Sequence, residues 1–256
     1  YKILSKAQRE AAAAPEIERT RARMRLARAL LATDLGAEAI GQLALVAQDD
    51  PAIQREPAYH ALRGIGMVML GRPDEALRAF NTFGLGQSSD IALWRGLAEV
   101  QKGNWRAAQE AFLAGMPAIS SYARDRQRQF RIGASRAALE VGDIATATVR
   151  LAELTGSADV GDLELNLLEA RLAAALGQTE IALQAFETIA AGDNRRLAAE
   201  AQLLRAELLA ATPDRIDPEA MIRDLDTLAM SWRGDEIELR ALRMLANLHV
   251  DRGEYY

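Results

Sequence analysis

HALRGIGMVMLGRPDEALRAF, residues 60–80, decides the fold, because the chain repeats it as ALWRGLAEVQKGNWRAAQEAF at residues 92–112. Laid over each other, the stretches agree at Arg63/Arg95, Gly64/Gly96, Val68/Val100, Gly71/Gly103, Ala76/Ala108, Ala79/Ala111 and Phe80/Phe112. In the first copy apolar residues recur at helical spacing, at Leu62, Ile65, Gly66 and Met69, and the pattern breaks at Gly71-Arg72-Pro73. A second helix is predicted beyond the break, with Ala76, Leu77, Phe80 and Phe83 on one face. Pro73 suits its first turn, where a missing N–H is harmless. The unit is helix, tight turn, helix.

The turn serves as a ruler: a glycine or its substitute, a small residue five positions on, and a large apolar residue four further. Gly36, Gly41 and Leu45 fit, as do Gly142, Ala147 and Leu151, and Gly177, Ala182 and Phe186. Pro213 takes the turn position in a longer loop, with Asp217 and Pro218 as an N-cap and a first-turn proline. Gly253 marks the last. Turns are therefore expected near 36, 71, 103, 142, 177, 213 and 253, a period in the mid-thirties. That period predicts an all-α solenoid of antiparallel helix hairpins, about six and a half repeats forming a single domain over 1–256. Each residue type has a physical reason. A left-handed turn residue is cheap only without a Cβ, the small residue lets two helices close on each other, and the large one fills the gap to the next hairpin.

Composition agrees. Half the 256 residues are apolar but only 5% are aromatic, and alanine makes up about a fifth, which favours thin, closely packed helices over sheets. With no cysteine there is neither a disulfide nor a thiolate metal site, and cytoplasm and periplasm fit equally well. Lysine occurs only at Lys2, Lys6 and Lys102, so basic residues are almost all arginine; with the alanine excess this points to a GC-rich, bacterial coding sequence. No apolar run reaches the roughly 18–20 residues of a membrane-spanning helix. A first residue of Tyr and a last hairpin that stops at GEYY read as a fragment of a longer protein, truncated at the C-terminus and at the N-terminus too.

LANLHVDRGEY, residues 245–255, resembles the first helix and turn of the tetratricopeptide repeat, with Leu245, Ala246, His249, Gly253 and Tyr255 at the signature positions. Gly64, Gly71, Ala76 and Phe80 match the same signature, as do Gly96, Gly103, Trp105, Ala108 and Phe112. With weaker copies the resemblance covers about residues 20–256. Arg63, Arg95 and Glu169 depart from it, standing where the signature prefers an apolar residue. The resemblance implies a right-handed superhelix whose concave surface, lined by first helices, binds segments of other proteins. On that surface the groove residues expected are Met69, Gln101, Arg136, Glu140, Arg171 and Asn247. Only Asn247 matches the family's carboxylate-clamp subset, so chaperone-tail binding is not expected.

Catalytic chemistry finds little support. His60 and His249 each lie within a helical repeat without metal-ligand spacing, and packing accounts for both. Gly66-x4-Gly71 imitates a phosphate loop, but Arg72-Pro73 stands where Lys and Ser or Thr are needed, and no strand precedes it. No metal and no cofactor are expected. Two helices carry arginine clusters, Arg19, Arg21, Arg23, Arg25 and Arg28 on one and Arg124, Arg126, Arg128, Arg131 and Arg136 on the other. One reading is an anionic partner, such as an acidic peptide, held by guanidinium forks. Alternate residues point about 200° apart on a helix, so solvated faces are expected instead, with Arg131 and Arg136 the exceptions because the resemblance puts their helix on the concave wall. A net charge of −5 and few stacking aromatics argue against nucleic acid. The expected function is a non-enzymatic scaffold binding a protein or peptide partner. A regulatory or positioning segment of a larger enzyme or signalling protein is the alternative. Self-association is a third reading, through Leu242, Leu245 and Leu248 at the truncated end.

Overall fold

The computed structural model describes residues 2–155, 162–212 and 217–253. Those residues form fourteen α-helices and no strand. In order they are α1 (Lys2–Ala13), α2 (Glu16–Leu31), α3 (Gly36–Asp49), α4 (Pro57–Met69), α5 (Pro73–Phe80), α6 (Ser89–Lys102), α7 (Trp105–Gly115), α8 (Arg124–Val141), α9 (Ile144–Thr155), α10 (Leu163–Ala175), α11 (Thr179–Ala190), α12 (Arg195–Ala210), α13 (Pro218–Ser231) and α14 (Glu236–Asp251). Two compact units divide the chain, Tyr1–Val141 and Gly142–Tyr256.

Hairpin turns close by one recurring device. After α4, Gly71 N–H donates to Val68 O (3.0 Å) and Arg72 N–H to Met67 O (2.9 Å), with Gly71 left-handed at φ +67°. This paired closure satisfies carbonyls that the helix end would otherwise leave bare. It recurs after α6 at Gly103 and after α10 at Gly177. The first mark of the ruler moves. The same two bonds close α2 on Asp34, at 3.3 Å from Asp34 N to Leu31 O and 3.0 Å from Leu35 N to Leu30 O. Asp34 holds φ +61°, the one non-glycine residue with positive φ among those described, while Gly36 is already helical and buried. Counted from Asp34, the small and large residues become Ala39 and Leu43, at 0% and 1% exposure, whereas Leu45 is 42% exposed. Aspartate is one of the few side chains that tolerates this conformation, which hides the turn from a search for glycine. Pro213 and Tyr255 lie outside the described residues.

The spacing of small and large residues is realised in the core. Ala76, Ala108, Ala147 and Ala182 are fully buried, and Phe80, Phe112, Leu151 and Phe186 are no more than 2% exposed. Glycines of the first helices receive the rings. A Cβ on Gly64 would stand 2.3 Å from Phe80 Cε1, and one on Gly96 2.7 Å from Phe112 Cε1. Phe112 also reaches the next hairpin, since a Cβ on Gly133 of α8 would meet its Cζ at 2.8 Å. The doubled glycine and phenylalanine of the two opening stretches are thus a socket and its knob. Phe83, expected on the same helical face as Phe80, lies beyond the end of α5 and is 95% exposed.

Arg63 and Arg95 occupy apolar signature positions because they reach past the core to polar groups. Arg63 Nη2 lies 3.4 Å from Glu75 Oε2 on α5, and Arg95 donates to Phe80 O (3.0 Å) and Asn81 Oδ1 (2.8 Å), covering the end of α5. Long stems keep such heads hydrated while the carbons pack.

Within each unit the helices form two layers. In the first unit the backbones of α2, α4, α6 and α8 each come close to the next member of that series, whereas those of α3, α5 and α7 stay further apart. In the second, those of α10, α12 and α14 come close in series and those of α9, α11 and α13 do not. First helices that approach more closely than second helices make the inner face of each unit. Side chains tie the layer together. Gln101 Nε2 donates to Val68 O (2.9 Å) between α6 and α4, and Arg240 of α14 donates to both carboxylate oxygens of Glu207 on α12 at 2.6 Å. Outside it, Asp217 caps α13 as expected, accepting from Glu219 N (3.1 Å) and Ala220 N (3.2 Å). Leu245 is buried and Leu248 half-buried at the core of the second unit, while Leu242 is 45% exposed.

A candidate protein-binding basin

The inner face of the first unit holds a cavity of about 650 Å³. Its floor is apolar, built from Leu31 of α2, Leu62 and Ile65 of α4, and the indole of Trp94 on α6. The rim is polar: Arg28, Asp34 and Asp90 on one side, Tyr122, Asp125, Arg126 and Gln129 on the other. Such a volume, with an apolar base and a few convergent polar groups, suits a small ligand or one or two side chains of a partner.

Five groups fix the far wall. Trp94 Nε1–H donates to the Tyr122 hydroxyl (2.8 Å), which donates in turn to Asp90 Oδ1 (2.5 Å). Phe130, fully buried, meets both Trp94 and Tyr122 edge-on, at 5.4 Å and 5.0 Å between ring centres. Arg126 lays its guanidinium 4.7 Å above the Trp94 ring, a favourable place for a cation against an indole face. The same guanidinium hydrogen-bonds Gln129 Oε1 and pairs with Asp34, ninety-two positions earlier in the chain. Burial, reinforced by the hydrogen bond to the Asp90 carboxylate, pushes the Tyr122 phenol above the ordinary tyrosine range. The phenol therefore stays protonated and keeps donating.

The residues expected in the groove lie elsewhere on the first helices. Met69, at the end of α4, is half-buried and packs where Gly36 leaves room, a Cβ there meeting Met69 Cβ at 2.9 Å. Gln101 is near it, through its bond to Val68 O. Arg136 and Glu140 stand one turn apart on α8, half-buried and each already engaged by a partner group. In the second unit, Arg171 on α10 is likewise engaged, and Asn247 on α14 is exposed. None of the six lines the basin.

The arginine clusters are dispersed as the helical angle requires. Arg23 pairs with Asp49, Arg25 approaches Glu10 at 3.7 Å, and Arg131 donates to Gln127 Oε1 at 3.2 Å. Only Arg28 and Arg126 of the two clusters reach the basin. His60 Nε2 is 2.8 Å from Gln54 O, with its ring edge-on to Tyr59. His249 also has a partner. Among the described residues no three acidic, histidine or cysteine side chains gather as a metal site, and no helix is long and apolar enough to cross a membrane.

No family model matches the sequence, and no curated protein matches it. Solved structures do. A tetratricopeptide repeat protein from Parabacteroides merdae ATCC 43184 aligns over 95% of this chain and 90% of its own, with TM-score 0.51 and 17% identity. The TPR domain of P58(IPK) aligns over 91% of this chain and 65% of its own, with TM-score 0.35 and 17% identity. The first likeness shows the fold: the chain is built as tetratricopeptide repeat proteins are, in agreement with the resemblance carried by residues 245–255 and the two opening stretches.

Proposed function

We propose that the chain is a non-enzymatic scaffold, a single repeat array of about six and a half hairpins, that binds a segment of another protein on its inner, first-helix face. The observation that carries the reading is the basin: the cavity that opens on the inner face has a floor of four apolar side chains, each less than a tenth exposed, and an aromatic wall fixed by hydrogen bonds. Anchors of protein interfaces favour such desolvated, aromatic-lined sites. Two other cavities, about 490 Å³ and about 470 Å³, lie over α2 between α1 and α3 and over α12 between α11 and α13, outside the inner layer. The non-enzymatic part is supported by the use of His60 in packing. Arg136, Glu140, Arg171 and Asn247 belong to the proposal as the wider inner face, with Met69 and Gln101 supporting it from within the layer.

Blocking the mouth tests the reading. Ala32→Trp and Ala123→Trp add uncharged bulk at two exposed basin residues without entering the core. Protein partners captured from the native host by the full chain should be lost with the double variant and kept with Leu113→Arg, on an exposed position of α7. Equal capture by all three proteins would place binding elsewhere.

A further inference from the structure

We propose that Asp34 is an internal stand-in for a partner's carboxylate: Asp34 occupies Arg126 at the rim of the basin, and an acidic partner segment binds by replacing Asp34 on Arg126. The proposal rests on the protein-binding reading above and names the chemistry of the segment bound.

Turn chemistry does not ask for this carboxylate. At the equivalent position Gly71, Gly103, Gly142 and Gly177 all take the left-handed conformation, which glycine adopts at no steric cost. Asp34 takes it with a side chain, and that side chain caps nothing nearby: among the described residues its only hydrogen-bond partner is Arg126. A left-handed position filled by a residue whose side chain reaches across a cavity points to a use for that side chain.

The two partners are unequally held. The Arg126 side chain is 15% exposed, stacked on Trp94 and bonded to Gln129, so it keeps its place when Asp34 leaves. Asp34 is 76% exposed, on a turn, and can swing out by side-chain rotation alone. The backbones of α2 and α8 do not approach each other closely, and this side-chain pair bridges from the turn after α2 to α8 across the mouth. The exchangeable member is therefore the carboxylate. Arg28 on the same rim has no carboxylate in ion-pair range among the described residues and offers a second guanidinium to an incoming acidic chain. Guanidinium forks suit carboxylates geometrically, which fixes the charge of the segment. Asp90 and Asp125 keep their negative charge on the same rim, so the gain to be read is that of removing Asp34 alone.

The experiment measures, by titration calorimetry on the full chain, the affinity for a terminally blocked glutamate-rich peptide and for its lysine counterpart. Asp34→Gly supplies the residue the other turns use, and Asp34→Asn, also tolerant of the left-handed region, guards against a folding effect. Helical circular dichroism confirms that each variant is folded. If Asp34 occupies Arg126 in about nine molecules of ten, its removal raises affinity for the glutamate peptide about tenfold. The same gain is expected in Asp34→Asn, no gain for the lysine peptide, and loss of the gain when Arg126→Gln is added. Unchanged or weaker glutamate binding in both Asp34 variants, an equal gain for lysine, a gain that survives Arg126→Gln, or no binding at all overturns the proposal. The two readings fail separately. Partner capture that depends on the rim while the Asp34 variants show no gain removes the stand-in and leaves the scaffold; the reverse result removes the scaffold reading.

Discussion

Gly96 and Gly41 are both helical glycines, and their surroundings set opposite expectations. A methyl at Gly96 would enter the Phe112 ring, so Gly96→Ala should destabilise the first unit by about 1–3 kcal/mol in denaturant unfolding. At Gly41 nothing lies within 4 Å, so Gly41→Ala should stabilise α3 by about 0.5–1 kcal/mol, the ordinary helix preference for alanine. Tyr122 gives a pH expectation. Its folded-state pKa is raised, so the stability it contributes is complete below the ordinary tyrosine value of about 10 and is lost as pH climbs through the higher folded value. A phenolate absorbance titration should show one late component that Tyr122→Phe removes. At the surface, the Lys102–Asp74 pair at 2.6 Å lowers the Asp74 pKa, and its partial exposure leaves it open to salt screening.

Helices and turns were largely legible in the sequence, and the reasons are local. A glycine followed by a small and then a large apolar residue records a left-handed closure, a close helix crossing and a plug between hairpins, all within ten positions. Asp34 escaped that reading because aspartate imitates glycine only in the backbone, and Gly36 beside it supplied a false mark. The basin was not legible. Trp94, Tyr122 and Arg126 come from α6, the link before α8, and α8 itself, and no spacing announces that their side chains meet. The scarcity of aromatics was the available hint, since a chain with few of them has three touching at Trp94, Tyr122 and Phe130. The ties between first helices are also non-local. Arg240→Met should cost the second unit about 1 kcal/mol, with the loss shrinking at high salt, because the bidentate bond to Glu207 is partly exposed.

Across the molecule, stacked repeats transmit stability chiefly to neighbours. Phe112→Ala should cost about 3–5 kcal/mol, and amide hydrogen exchange should quicken most in α6, α7 and α8 and progressively less toward α2. Uniform acceleration over the whole chain would instead mean all-or-none unfolding. The socket that holds this ring has a further consequence, for recombination. Phe112 sits between Gly96 of its own hairpin and Gly133 of the following one, so its ring bridges any seam placed between the two. A hairpin spliced out at its loops leaves half its socket behind. A repeat moved into another array should keep its rigidity only where the acceptor offers glycine at the place of Gly133, which makes that residue part of the grammar by which such chains can be cut and rejoined.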